Sequence, residues 1–148
     1  MEPVVTKMSE DNGLFTFTLS GVSVSIANAL RRIVISEIPC IVFRTSPHAE
    51  NRMAISINTT RLNNELIKQR MSCVPVHISD TSVPFDNYEV IIDKKNNSDV
   101  IEYVTTGDIV IKDTKTGEML ASPAVRSIFP PDSITGDYID IARLRPRL

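Results

Sequence analysis

One stretch, from Ser23 to Pro39, constrains this chain most, because it reads as a helix with more apolar surface than a single packing contact uses. Ile26, Ala29, Leu30, Ile33 and Val34 recur at helical spacing, and the stripe through Ile26, Leu30 and Ile33 is broadened by Ala27, Val34 and Ile38. Ser23 or Ser25 supplies a hydroxyl to cap the exposed amides at its start. Pro39 stops it, because the residue before a proline is pushed out of the helical region. The spacing predicts a helix from about Ser23 to Ser36 that suits two packing partners. The alternative is a single-sided core helix whose apolar coverage frays at one end.

The rest of the chain limits what those partners are. Its 148 residues suffice for one domain, or one domain carrying a substantial insertion, with a core of its own. Hydrophobic residues at 42% and charged residues at 23% argue for a folded globular protein and against general disorder. A formal net charge of -2 gives no global attraction to a phosphate backbone, so binding DNA alone is not expected. Cys40 and Cys73 lie far apart and outside any C-x-x-C spacing, which suits a reducing compartment and excludes a cysteine-only zinc site. Both are expected to be buried as small hydrophobes. The segment Met1-Glu2-Pro3-Val4-Val5-Thr6 does not read as a secretory signal, and charges break every apolar run well before the ~20 residues a membrane helix needs. A soluble, intracellular protein is expected, in which the glycosylation-like patterns at Asn58 to Thr60 and Asn96 to Ser98 carry no chemistry.

Around the long helix the sequence predicts an α+β fold. Val4 to Lys7 and Leu14 to Leu19 flank a polar turn and read as a hairpin. Cys40 to Thr45 and Met53 to Asn58 are expected as strands around a polar loop, and a second helix is expected from Asn63 or Asn64 to Met71, ended by Pro75. Beyond about Val76, Tyr88 to Asp93, Val100 to Thr105 and Asp108 to Lys112 predict a strand meander, with Asn, Gly and Asp supplying the turns. An irregular stretch marked by Pro123, Pro130 and Pro131 leads to a last strand over 138–144.

No catalytic constellation is visible. His48 and His77 have no H-E-x-x-H, H-x-E or cysteine-pair context, and are expected to be surface or structural residues. With five glycines in all, there is no glycine-rich phosphate loop and no G-x-S-x-G elbow.

Asn28-Ala29-Leu30-Arg31-Arg32-Ile33, followed by Ser36-Glu37-Ile38-Pro39, closely resembles the first helix of the RNA polymerase assembly-subunit family. That family comprises the amino-terminal domain of bacterial alpha, its archaeal counterpart and the third-largest eukaryotic subunits. A second block, Leu62 to Val76, is similar to the family's short helix, with Arg70 and an apolar-Pro-apolar ending at Pro75; Ser72 stands where the family usually has glycine. The two blocks cover about Gly21 to Ile78, and the β-rich remainder matches the family's insert lobe in texture only.

The resemblance implies a partial alpha-like dimerisation domain over 1–78, with two helices on antiparallel strands, and a β-rich insert-like lobe over 79–148. It implies a non-catalytic assembly subunit of a DNA-directed RNA polymerase that heterodimerises with a smaller alpha-like subunit and docks the large catalytic subunits. DNA would be met only through the complex. Ile26, Ala29, Leu30, Ile33 and Val34 are the implied dimer interface; Arg32 is the implied docking residue, while Arg31 either shares that surface or serves the fold. Asn28, Glu37, Pro39, Arg70 and Pro75 carry the motif structurally. Some relatives hold iron-sulfur or zinc on insert cysteines, but no cysteine follows Cys73, so no metal and no cofactor are expected. In the family the chain returns from the insert with a strand and a long helix, whereas this sequence stops at Arg145-Pro146-Arg147-Leu148. A fragment, a split gene product or a partner chain that supplies those elements is therefore expected. The implied compartment is the nucleus or cytoplasm, or a virion for a large DNA virus. Two rival readings are a free-standing α+β interaction domain and a nucleic-acid binder with Arg143, Arg145 and Arg147 as a basic tail.

Overall fold

The computed structural model describes residues 2–11 and 13–146. The chain divides into two compact units, Met1–Pro39 and Cys40–Leu148.

In the first unit, β1 (Val4–Asp11) and β2 (Leu14–Ser20) form the expected antiparallel hairpin, with Val5 opposite Leu19 and Glu10 opposite Phe15. Alternating Phe15, Phe17 and Leu19 put one apolar face on β2, where the Phe15 and Phe17 rings lie 5.7 Å apart. The register shifts between Thr6 and Ser9, and Lys7 adopts a positive φ of 52° within that bulge. Gly21 turns the chain out of the hairpin at φ +71°; a Cβ there would lie 2.1 Å from the Glu2 carbonyl oxygen, so no other residue fits. Helix α1 (Val24–Ser36) follows. Ser23 is its N-cap, its Oγ accepting from the Ile26 amide at 3.4 Å, and the Glu37 amide closes the helix on the Ile33 carbonyl at 2.8 Å.

The second unit owns the hydrophobic core. Helix α2 (Asn64–Ser72) is capped by Asn63, whose side chain accepts from the Leu66 amide at 2.8 Å. It buries Ile67 and Met71 with Val74, Val104, Ile109, Ile111, Phe129, Ile141, Ala142 and Leu144. Strand β3 (Tyr88–Ile91) pairs with β5 (Val110–Asp113), and β4 (Glu102–Thr105) with β6 (Asp140–Leu144), all antiparallel. The expected meander is therefore replaced by interleaved pairing. The loop before β4 is tied to the end of β6 instead of leading into a hairpin: Asn96, fully buried, donates to the Val100 and Leu144 carbonyls and accepts from Ser98. Lys94 adds a second tie, donating to the Tyr103 carbonyl at 2.7 Å and pairing with Asp108 at 2.9 Å.

Other expectations change. Residues 40–45 and 53–58 are not strands, although Phe43, Met53 and Ile55 still turn inward onto the core. Period-2 patterning survives because the segments are extended; the Arg52 amide bonding the Arg44 carbonyl at 3.0 Å is one link between them, too little for a ladder. The stretch expected to be irregular contains α3 (Ser122–Ile128), with Pro123 in its first turn, where the missing N–H is no loss. Cys40 and Cys73 are exposed, not buried. Helix α2 shares its core with β4, β5 and β6.

Candidate dimerisation and docking surface

Helix α1 buries none of its residues. At about 100° per residue, Ala29, Ile33, Ile26, Leu30, Val34 and Ala27 follow one another around a continuous arc of roughly 160°. Its larger members stand open to solvent, with Ile26 53%, Leu30 47%, Ile33 50% and Val34 62% exposed. The five residues expected at a dimer interface thus share one unburied face.

The opposite side of α1 is mixed. Asn28 Oδ1 accepts from Arg31 Nε at 3.2 Å and from Arg31 Nη2 at 3.0 Å, which folds the Arg31 guanidinium back along the helix. Arg32 projects about 100° away from Arg31, and its carbonyl accepts the Ser36 hydroxyl at 2.8 Å. The helix carries no carboxylate, so both cations lack an intrahelical partner of opposite charge. Val24 and Ile35, which the apolar periodicity does not assign to the site, are 86% and 73% exposed.

The remaining motif residues sit as follows. Glu37 is the C-cap of α1, and Pro39 ends the first unit. In the second unit, Arg70 donates to the Asp140 carbonyl at 2.7 Å and so ties the end of α2 to the start of β6, while Pro75 is exposed just beyond Val74. Arg143 stacks over the Tyr103 ring at 4.9 Å, Arg145 is exposed, and Arg147 lies outside the described residues. Asn58 bonds Leu62 and Thr60 within a local turn, and Asn96 bonds Ser98 and Val100 locally and Leu144 at the end of β6. Among the described residues no three His, Cys, Asp or Glu side chains cluster as metal ligands, and no helix is long and apolar enough to cross a membrane.

An α+β chain whose first helix turns a broad apolar arc outward is built like one half of a dimer. Residues 16–127 match the model of the RNA polymerase Rpb3/Rpb11 dimerisation domain, and the chain belongs to that family. It is 42% identical over 60 residues to the DNA-directed RNA polymerases IV and V subunit 3B of Arabidopsis thaliana, a match covering 40% of this chain and 17% of that protein. It is 33% identical over 86 residues to the DNA-directed RNA polymerase subunit Rpo3 of Pyrococcus horikoshii, covering 58% of this chain and 28% of that one. With the RPB3 subunit of RNA polymerase II from Schizosaccharomyces pombe it shares 31% identity over 68 residues, covering 46% and 20%. The matched stretch is thus less than a third of each relative's length.

Proposed function

We propose that this chain is a non-catalytic assembly subunit of a multisubunit DNA-directed RNA polymerase. The observation that carries the reading is the apolar arc of α1, exposed on a unit that has no buried hydrophobic residue among those described. Covering that arc with the matching helix of a smaller alpha-like subunit would complete the burial of Ile26, Leu30, Ile33 and Val34. Each is about half-exposed, so each would add roughly 1 kcal/mol, half the value of fully burying such a side chain. Ala29 lets the two backbones approach.

Arg32, and Arg31 beside it, would dock the large catalytic subunits through charge-assisted hydrogen bonds, which planar guanidinium groups make with carboxylates. DNA is met only through the assembled complex. In the family's terms, 1–78 would be the start of the dimerisation domain and 79–148 the insert lobe, with α2 joined by packing to the lobe.

The test is co-expression of the tagged chain with the small and large polymerase subunits of its source. Recovery of a complex containing all of them is expected. Leu30→Asp should abolish recovery of the small subunit while leaving far-ultraviolet circular dichroism unchanged; Arg32→Ala should keep the small subunit and lose the large ones. A chain that stays monomeric beside its candidate partners would favour the free-standing interaction domain instead.

A further inference from the structure

On α1, Val24, Asn28, Arg31 and Ile35 are spaced four, three and four residues apart, which brings all four within about 60° of one another, on the side opposite the apolar arc. Val24 and Ile35 are the two most exposed hydrophobic residues of the helix. They lie roughly 16 Å apart along the axis, at about 1.5 Å rise per residue, with the Asn28–Arg31 pair between them. A solvated helix back has no need of two large aliphatic side chains, and the dimer arc does not reach them.

Asn28 engages the Nε and Nη2 edge of Arg31 through one carbonyl oxygen. A guanidinium has five N–H donors, so the two N–H bonds of Nη1 and the outer one of Nη2 remain, aimed away from the clamp. These form an end-on fork suited to a carboxylate, turned outward by the Asn28 bonds. An amide oxygen achieves this without cancelling the charge, which an aspartate at the same position would do.

We propose that Asn28 is a positioning residue that presents Arg31, and that the strip Val24, Asn28, Arg31 and Ile35 takes a protein surface offering a carboxylate between two apolar contacts. The inference rests on reading α1 as a helix that docks partners on two sides. Charge complementarity selects the occupant, because the strip carries the Arg31 cation and α1 has no acid. The flanking Val24 and Ile35 select protein over a phosphate backbone, which has no apolar groups to meet them at this spacing.

The experiment uses the full chain bound to its small partner, with the source's purified large subunits as the probe and affinity read by interferometry. Asn28→Ala frees the guanidinium and slightly favours the helix; it is expected to weaken capture by about fivefold or more. In an Arg31→Ala background the same change should cost nothing further, since Asn28 acts through Arg31. Asn28→Asp, which keeps the clamp but neutralises it, should also weaken capture, a result that a purely structural asparagine would not produce. Val24→Ser and Ile35→Ser should each weaken capture without altering binding of the small partner. The proposal is overturned if Asn28→Ala leaves capture unchanged, if its effect adds fully to that of Arg31→Ala, or if the strip instead retains duplex DNA in an Arg31-dependent way. Unaltered capture by the Arg31→Ala, Arg32→Ala double variant would instead remove the arginine-docking reading itself.

Discussion

Met71 is 3% exposed and sits where α2 meets the core of the second unit. Truncation to alanine leaves a cavity among neighbours that strands β4, β5 and β6 hold in place, so Met71→Ala should destabilise the chain by about 2–5 kcal/mol in a denaturant titration. Asn63 acts at the other end of the same helix through one amide. Its replacement by alanine should cost about 1 kcal/mol, seen as a lowered Tm with an unchanged core. Met71 was legible in the sequence as the end of the expected helix and Asn63 as one of its two possible starts, whereas the capping bond of Asn63 was not. The exposure of Cys40 and Cys73 was not legible, because a residue type's average burial says nothing about which side of a given turn it occupies.

Turns and helices are tuned by single polar groups. The carboxylate of Asp132 accepts from the amides of Thr135 at 2.8 Å and Ile134 at 2.9 Å. Those bonds hold its pKa below the ordinary aspartate value, as the Ser82 hydroxyl and amide do for Asp80. Because the folded value is depressed, the stabilisation is present above the unfolded aspartate pKa and is lost as pH falls through the folded one. Amide shifts of Ile134 and Thr135 should therefore move together at a pH below that of an ordinary aspartate; a midpoint at or above it would refute these bonds. Helix α1 was the most legible element, with its bounds set by Ser23 and Pro39. Helix α3 was missed because Pro123 was read as a breaker, although a first-turn proline is compatible with a helix.

For the whole molecule, the two units differ in how much of themselves they bury. Among the described residues, the second unit holds the entire buried core and the first holds no buried hydrophobic residue. In the isolated chain, amides of β1, β2 and α1 should exchange with solvent about tenfold or more faster than those of β4 and β6, and addition of the small polymerase subunit should slow those of α1. Equal protection in both units without a partner would mean that the first unit needs none.

The α+β class, the hairpin, both motif-bearing helices and the family could be read from the chain alone, since each rests on local spacing, capping and proline placement. Strand pairing could not. Tyr88–Ile91 finds Val110–Asp113 across an intervening strand, and Glu102–Thr105 finds Asp140–Leu144, because burial of Val104, Ile111, Ile141 and Leu144 in one core outweighs adjacency in sequence. The Asn28 bonds to Arg31 likewise depend on side-chain rotamers, which the three-residue spacing permits but does not fix.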